Sequence, residues 1–195
     1  MKKMVLGVAL TALLAVPAHA ALDKGTTAPD FKAKATLAGK EFDFSLKDAL
    51  KKGPVVVYFY PAAYTRGCNI EAHTFAENAD KFAAANATII GVSRDGIAKL
   101  NAFSADKDYC AGKFPLASDA DGNITKAYNL KNMDLPAGMK DSRGEELNIP
   151  GATERTTYVI DKDAKVIAIL STADDKVMPA DHALKSLEIV EAMKK

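Results

Sequence analysis

The segment Tyr58 to His73, YFYPAAYTRGCNIEAH, combines residue types that suit nucleophilic chemistry. A turn-like stretch begins at Pro61, and a helix is predicted to begin just before Cys68, near Arg66 or Gly67. The first turn of a helix has unpaired N–H groups and the positive end of the helix dipole, which together stabilise an anion. A thiolate is such an anion and is the reactive form of cysteine, so the segment predicts a nucleophilic thiol.

The neighbours of Cys68 support this prediction but leave an alternative open. Arg66 adds positive charge if its side chain points inward, and Thr65 can cap the helix or offer its hydroxyl to a substrate. Pro61 lacks an N–H group and stiffens the loop. However, if the protein is exported, its two cysteines most often form a structural disulfide, which here would join Cys68 to Cys110.

Apolar, β-branched runs predict the strands that position this segment. PVVVYFY and ATIIGVS are continuous enough to be strands covered on both faces. Hairpins are predicted around Ala38-Gly39 and around Lys162-Asp163-Ala164, and KFPLASDADGNITKAYNL predicts a short strand, a turn and a helix. The alternation of strands and helices predicts an α/β domain with a mixed central sheet.

Helical periodicity predicts three longer helices. The first runs from Gly67 to Ala85, with an apolar face made of Ile70, Phe75 and Phe82. The second is GIAKLNAFSADKDYC, which would place Cys110 at its end, and the third is the C-terminal PADHALKSLEIVEAMKK.

The first twenty residues, MKKMVLGVALTALLAVPAHA, have the pattern of a secretory signal peptide. A positive start, a short apolar run and the small-x-small box Ala18-His19-Ala20 predict cleavage after Ala20. The mature domain would span residues 21–195 in an oxidising compartment, periplasmic or secreted. An uncleaved membrane anchor is the alternative, although the apolar run is short for a bilayer.

The composition fits one packed domain that does not bind polyanions. Of the 195 residues 48% are hydrophobic, and 26 Lys and Arg nearly balance 25 Asp and Glu, which argues against nucleic acid or anionic membrane as partners.

The stretch Asp119 to Asn123 faintly resembles a calcium loop, but Leu130 stands where an EF-hand needs glutamate, so a turn and helix cap are predicted instead. No metal or other cofactor is predicted. Lys131 to Glu154, rich in Gly, Pro and charge, is predicted to be a long surface loop.

Several motifs together resemble a known family. Pro61, Thr65 and Cys68 match the P-x-x-x-T-x-x-C motif around the peroxidatic cysteine of peroxiredoxins, and YFYPAAYTRGCNIEAHTF resembles the PrxQ, or bacterioferritin comigratory protein, subgroup. ERTTYVID around Arg155 is similar to the family's second arginine-bearing motif, and TAPDF and FPLASD match further landmarks. The resemblance covers nearly the whole mature chain. It implies a thioredoxin-like fold, with helices flanking the sheet and an N-terminal β-hairpin extension.

The resemblance also implies an activity and its residues. The protein would be a thiol-dependent peroxidase that reduces hydrogen peroxide and organic hydroperoxides. Cys68 would be the peroxidatic cysteine, whose thiolate attacks the O–O bond and becomes a sulfenic acid. Thr65 would hydrogen-bond the peroxide, and Arg155 would hold both thiolate and substrate. Pro61 would shield the site, while N–H groups of Gly67 and Cys68 would complete the substrate pocket.

Two positions depart from the subgroup pattern. His73 stands where many members carry the resolving cysteine, and Arg66 stands where proline is usual. Some PrxQ-like proteins carry the resolving cysteine in a later helix, and resemblance to these implies an intrachain disulfide between Cys68 and Cys110. If Cys110 is instead an inert buried thiol, the protein is a one-cysteine peroxidase with an external thiol. Glu71 matches a family glutamate, but a solvated carboxylate explains it equally well.

Other functions of the same fold compete with this interpretation. A thioredoxin-like disulfide oxidoreductase needs C-x-x-C, whereas Cys68 is followed by Asn69, Ile70 and Glu71. A copper-binding assembly protein needs paired cysteines and a distal histidine, and here one cysteine accompanies His182 in the last helix. A non-catalytic domain with a structural disulfide is the third rival. For the peroxidase, we expect a monomer served by a thioredoxin-like reductant in the exported compartment.

Overall fold

The computed structural model describes residues 21–149 and 151–194, which contain two sheets. The strands are β1 (Lys32–Leu37), β2 (Lys40–Ser45), β3 (Val55–Phe59), β4 (Thr88–Ser93), β5 (Leu116–Ser118), β6 (Asn132–Met133), β7 (Ala152–Thr153), β8 (Thr156–Ile160) and β9 (Val166–Ser171). The helices are α1 (Leu46–Leu50), α2 (Arg66–Ala84), α3 (Ile97–Ala105), α4 (Asn123–Ala127), α5 (Thr172–Asp175) and α6 (Pro179–Ala192).

Seven strands form one mixed sheet in the order β2-β1-β5-β4-β3-β8-β9, and β6 pairs with β7 separately. β3 lies between the parallel β4 and the antiparallel β8, and all five of its residues are buried. This arrangement confirms the predicted α/β domain with a mixed central sheet and a buried central strand. The predicted N-terminal hairpin is also confirmed, because β1 pairs with β2 and Leu37 lies opposite Lys40.

Helix α2 carries Cys68 and packs its buried face against α6 and the sheet. The buried residues of α2 recur at three- and four-residue spacing: Cys68, Glu71, Ala72, Phe75, Asn78, Ala79 and Phe82. The prediction that Ile70 belongs to this face is wrong, since its side chain is 44% exposed. The helix is rotated so that the carboxyl group of Glu71 faces inward in its place.

The prediction that Cys110 ends a helix is also wrong. α3 stops at Ala105, and residues 106–113 form consecutive turns. Two backbones there have positive φ, Ala111 at 51° and Gly112 at 65°, which a helix does not allow. The apolar character of Tyr109 and Cys110 comes from packing of a turn segment into the core and not from helical periodicity.

The segment Lys131 to Glu154 is more structured than a simple surface loop. Its ends form β6 and β7, and the Glu154 carboxylate accepts a hydrogen bond from the Lys131 N–H at 2.8 Å. Ala152, Thr153 and Asp141 are buried. The prediction of a surface loop is therefore correct for much of the segment, although its ends are paired strands, and it is wrong for the buried β7, Glu154 and Asp141.

The predicted signal peptide, residues 1–20, lies outside the described residues. Within residues 21–149 and 151–194, no helix is both long and apolar enough to cross a bilayer.

Candidate active site

The loop between β3 and α2 is held on the sheet by a buried carboxylate. Asp95 follows β4, and its Oδ2 accepts hydrogen bonds from the Ala63 N–H at 2.7 Å and from the Ser93 hydroxyl at 2.9 Å. Lys99 lies 3.2 Å from the other carboxylate oxygen, Oδ1. The loop is thereby fixed to the end of the neighbouring parallel strand.

Cys68 lies in the first turn of α2, and its side chain is 1% exposed. Arg155 donates a hydrogen bond from Nη2 to Cys68 Sγ at 3.2 Å. The sheet register explains the contact, because Phe59 at the end of β3 lies opposite Thr156 at the start of β8. Arg155, the residue before β8, therefore lies beside the loop and helix that follow β3. Helix start and guanidinium both favour a negative charge on this sulfur.

Arg155 also contacts Glu71, one helical turn beyond Cys68. Its Nη1 donates to Glu71 Oε2, and the carboxyl group is fully buried. Burial raises the pKa of Glu71 to about 7, while the positive charge of Arg155 acts in the opposite direction. The interpretation of Glu71 as a solvated carboxylate is wrong, since the side chain belongs to the buried wall of the site.

The other predicted site residues surround the start of α2. Thr65 occupies the N-cap position, but its hydroxyl donates to the Ala62 carbonyl at 2.9 Å and does not cap the helix. Pro61 and Gly67 are half-buried. Arg66 is exposed, so its side chain does not bring positive charge into the site in the way that Arg155 does.

Cys110 is a free thiol that is fully buried in the same core cluster as Cys68. Burial raises the pKa of this thiol, and the charge of Asp106 adds to the effect. The turn segment that carries it is tied to α2, because His73 Nδ1 lies 3.0 Å from the Asp108 carbonyl oxygen. The structure therefore brings both cysteines into one cluster, and each is a separate thiol.

Tyr64 links the loop before Cys68 to two other segments. Its backbone has φ of 66°, and its carbonyl accepts a hydrogen bond from the Ser142 N–H at 2.8 Å. Arg143 lies over its ring with Cζ 3.6 Å from the centroid. On the other side, the ring packs edge-on against Phe103 and Tyr109, with centroids 4.8 and 5.7 Å away. One side chain thus contacts both the long loop and the segment of the second cysteine.

No group of three or more His, Cys, Asp or Glu side chains suited to a metal ion occurs among residues 21–149 and 151–194. The stretch that faintly resembles a calcium loop has a different role. The Asp119 carboxylate accepts hydrogen bonds from the N–H groups of Ile124 and Thr125 at 2.9 and 2.7 Å, which confirms the predicted helix cap.

Comparison with known proteins identifies the family. A family model described as the AhpC/TSA family matches residues 24–169. The chain belongs to the AhpC/TSA family. It is 32% identical to the chloroplastic peroxiredoxin Q of Oryza sativa subsp. japonica over 172 residues, which are 88% of this chain and 68% of the relative. Its family relatives are peroxiredoxins, and the chain is a peroxiredoxin with thiol-dependent peroxidase activity.

Two solved structures support the same conclusion. The peroxidoxin BcpB of Mycobacterium tuberculosis is 31% identical with a TM-score of 0.71, and the alignment covers 88% of this chain and 98% of that one. Peroxiredoxin Q of Xanthomonas campestris is 26% identical with a TM-score of 0.65, covering 85% and 92%. The predicted family and the thioredoxin-like fold are confirmed. Peroxiredoxins reduce peroxides and are regenerated by thioredoxin-like reductants.

Two residues of this peroxiredoxin site could have been found from the sequence. Cys68, Phe75 and Phe82 are seven residues apart and mark one face of the helix. Glu71 lies three residues after Cys68 and four before Phe75, which places it on that face, whereas Ile70 does not have this spacing. His182 lies on the buried face of α6, four residues before Ser186 and eight before Val190. Its side chain comes within 3.8 Å of Glu71, and sequence reasoning considered it only as a copper ligand.

Gly67 permits the close approach of Arg155 in this peroxiredoxin. A Cβ at Gly67 would lie 3.1 Å from Arg155 Nη2 and 3.5 Å from Pro179 Cγ. We expect Gly67→Ala to displace the guanidinium and to slow oxidation of the thiol about tenfold, because small misplacements in an active site carry large rate effects. Stopped-flow measurement of peroxide reduction tests this.

Gly96→Ala is the matched control for this substitution. Gly96 also lies at the start of a helix, at φ −67°, but a Cβ there meets nothing within 4 Å. The control should keep the parent rate, and an equal rate in Gly67→Ala would contradict the positioning of Arg155 by this glycine.

Proposed function

We propose that this peroxiredoxin reduces hydrogen peroxide and small organic hydroperoxides with Cys68 as its peroxidatic residue. The thiolate sulfur attacks the terminal oxygen of H–O–O–R, the O–O bond breaks, and Cys68 becomes a sulfenic acid. The leaving RO⁻ takes one proton and departs as water or an alcohol. The sulfur is oxidised by two electrons and the peroxide is reduced by two.

The observation that carries this proposal is the 3.2 Å contact between Arg155 Nη2 and Cys68 Sγ at the start of α2. Attack needs a thiolate together with donors that stabilise the charge growing on the leaving oxygen. The guanidinium has further N–H groups for a peroxide oxygen, and the N–H groups of Gly67 and Cys68 lie in the unpaired first turn. Rotation of the Thr65 hydroxyl away from Ala62 would supply another donor, while Pro61 covers the site.

We propose that Cys110 resolves the sulfenic acid within the same chain. Its thiol attacks the Cys68 sulfur, an S–S bond forms, and the sulfenic oxygen leaves as water with the thiol proton. A thioredoxin-like dithiol then reduces this bond to two thiols and becomes oxidised itself. Membership of both cysteines in one core cluster supports this route. A disulfide requires Cα atoms within about 4.4–6.8 Å, so the turn segment and the first turn of α2 must meet that limit.

A one-cysteine cycle is the second candidate, and the burial of Cys110 favours it. A fully buried thiol with a raised pKa holds little thiolate, so resolution requires residues 106–113 to leave the core. In the one-cysteine cycle an external thiol reacts with the Cys68 sulfenic acid directly. A third possibility is a structural disulfide between the two cysteines, which would resist mild reductants.

One experiment separates these candidates. Reduced protein is treated with one equivalent of hydrogen peroxide, and the product is mapped by peptide mass spectrometry. A rapidly formed Cys68–Cys110 link that mild dithiols reverse supports intrachain resolution. A lasting sulfenic acid on Cys68 with Cys110 untouched supports the one-cysteine cycle. A thiol at Cys68 that stays unmodified would contradict the peroxidatic role.

Substitution of the second cysteine gives a further prediction. In Cys110→Ser, Cys68 should be oxidised once at the parent rate, because Cys110 takes no part in the attack on peroxide. Turnover with a dithiol reductant should then stall, and overoxidation to the sulfinic acid should become easier. Coupled turnover and intact mass measure the two effects. Unchanged turnover would refute the resolving role.

We also propose that the protein acts outside the cytoplasm as a monomer. The pattern of residues 1–20 supports export to the periplasm or beyond, with cleavage after Ala20. An intrachain disulfide needs no second subunit, which supports the monomer. Its reductant would then be a thioredoxin-like protein of the same compartment. The intact mass of the exported chain and its sedimentation velocity test both statements.

A further inference from the structure

Arg155 lies between two groups that can each carry one negative charge. Its Nη2 donates to Cys68 Sγ at 3.2 Å, and its Nη1 donates to Glu71 Oε2. The thiol is 1% exposed and the carboxyl group is fully buried. A buried site readily balances one negative charge against one guanidinium, whereas a second buried charge is left uncompensated.

The second oxygen of Glu71 faces a histidine. Among the described residues Glu71 Oε1 has no hydrogen-bond partner, although it is buried. It lies 3.8 Å from Nδ1 of His182, whose side chain is also fully buried. An unpartnered buried oxygen close to a ring nitrogen indicates a place where a proton can reside.

The hydrogen bonds of His182 determine which ring nitrogen is protonated. The Thr172 hydroxyl donates its only proton to the Val177 carbonyl at 2.8 Å, so it must accept from His182 Nε2–H at 2.9 Å. Neutral His182 therefore has its lone pair on Nδ1, where the Thr157 hydroxyl lies 2.9 Å away and donates to it. Nδ1 thus carries no proton that it could donate to Glu71 Oε1, 3.8 Å away.

An ionised Glu71 would leave Oε1 buried without a donor, because the unprotonated Nδ1 of His182 accepts from Thr157 and has no proton to give. A proton on Glu71 removes that buried charge and leaves Arg155 free to balance a thiolate. We infer that Glu71 and His182 form a proton-holding pair that exchanges charge with Cys68 through Arg155. Glu71 is protonated while Cys68 is a thiolate, and it ionises when Cys68 becomes a neutral sulfenic acid. Both act through Arg155 and are positioning residues, and the inference rests on the proposed peroxidatic role of Cys68.

Burial keeps the proton on Glu71, and burial together with nearby positive charges keeps it away from His182. Burial raises the pKa of Glu71 to about 7, against the opposing charge of Arg155. Burial lowers the pKa of His182 to about 3, and the positive charges of Arg155 and Lys185 add to that effect. Tyr58 also interacts with Glu71, and burial raises its pKa well above the ordinary value, so it stays neutral.

The inference fixes the proton balance of the first chemical step. The sulfur receives the terminal O–H of the peroxide, the O–O bond breaks, and the leaving RO⁻ needs one proton. As Cys68 loses its negative charge, Glu71 releases one proton and its carboxylate replaces the thiolate as the partner of Arg155. In total, the reaction takes no proton from the solvent. Without the Glu71 proton, the buffer must supply one proton for each thiolate oxidised.

Proton uptake during a single oxidation tests this balance. The protein carries Cys110→Ser, so that the reaction stops at the sulfenic acid, and receives one equivalent of hydrogen peroxide in weakly buffered solution with a pH indicator. The pH is chosen from the thiolate absorbance, so that Cys68 is ionised before the peroxide is added. We expect this protein to take up close to no protons, and the same protein with Glu71→Gln to take up close to one for each Cys68.

The same substitution at two different histidines provides a matched test. The amide of His182→Asn can turn its N–H2 group toward Glu71 Oε1 and stabilise the carboxylate, so uptake should rise toward one proton. His73→Asn makes the same change at an exposed histidine of α2 and should leave uptake close to none. Loss of packing in His182→Asn would alter stability but not this count. Uptake that stays near zero in His182→Asn would overturn the role of His182.

The result also separates this inference from the proposed function. Mass spectrometry counts the sulfenic acid formed on Cys68 in the same samples. Full sulfenic acid with one proton taken up by the Cys110→Ser protein would overturn the charge exchange and leave the peroxidatic role intact. Failure to form sulfenic acid on Cys68 would overturn both.

Discussion

Replacing Cys68 with serine is expected to abolish peroxide reduction, with a rate loss of more than about 10³-fold as for other nucleophile removals. Serine keeps the size of the side chain and can still accept a hydrogen bond from Arg155, so the helix start and the guanidinium should stay in place. What is lost is the polarisable thiolate that attacks the O–O bond. Peroxide consumption with a dithiol reductant measures the effect.

The control for this prediction is Cys110→Ser, the same change at the other buried cysteine. It should retain one rapid oxidation of Cys68, whereas Cys68→Ser should show none. Thermal unfolding monitored by circular dichroism checks that both variants are folded. Peroxidase turnover that persists in Cys68→Ser would show that the reactive sulfur lies elsewhere.

Replacing Arg155 with methionine is expected to slow the reaction of Cys68 with peroxide by about 10²–10³-fold, the usual loss when one donor to a developing charge is removed. Methionine fills much of the same volume but cannot donate to Cys68 Sγ or Glu71 Oε2. The thiolate loses its nearest positive charge, and the peroxide loses a donor. Stopped-flow kinetics over a range of pH measures the rate, and an unaltered rate would remove Arg155 from the site.

The same substitution should change how stability depends on pH. The pKa of Glu71 is about 7 in the folded protein against 4.5 for an ordinary glutamate, so the folded state holds a proton that the unfolded chain has released. Stability therefore falls as pH rises through that window. Arg155 opposes the shift, so its removal extends the window to higher pH and enlarges the total fall in melting temperature.

A double variant separates the two effects of Arg155. In Arg155→Met with Glu71→Gln, no buried carboxylate remains to be ionised, so the pH dependence of melting should flatten and stability should recover. Leaving one partner of a buried pair alone costs about 3–5 kcal/mol when it stays charged, which sets the scale of the recovery. Peroxidase activity should not recover. Recovery of activity would mean that Arg155 acts only by neutralising Glu71.

The sequence predicted the parts of the site that follow directly from strand order and helix position. A buried strand followed by a helix start placed Cys68, and the motif before a second strand placed Arg155. The strand register then makes their contact necessary, since the end of β3 lies beside the start of β8. These elements depend on local periodicity and on strand pairing in the centre of the sheet, and both can be predicted from a sequence.

The inner side of the site was less predictable because it depends on buried polar partners. An Ile next to a Glu suggests that Ile70 is buried. Helical spacing places Glu71 on the buried face instead, but the partner that stabilises a carboxylate there, Arg155, lies on another element. Such pairing is a tertiary effect that no single segment shows. His182 was missed for the same reason, since its partners lie on α2, on β8 and after β9.

The segment of Cys110 was mispredicted because apolar residues also occur in packed turns. Tyr109 and Cys110 continue the apolar period of α3, but Asp106 and Asp108 favour turns, and the Asp108 N–H donates to the Asp106 carboxylate at 3.0 Å. The ends of Lys131 to Glu154 were missed because two-residue strands carry no periodic signal.

Tyr64 joins the long loop to the segment that precedes Cys68. A non-glycine residue in the left-handed region costs about 1–3 kcal/mol, and the contacts with Ser142 and Arg143 help to offset that cost. A partner that lifted Arg143 away would therefore loosen the loop before Cys68. Thermodynamic linkage makes this effect reciprocal. A change at Cys68 that loosened the loop would strengthen binding of that partner by the same factor.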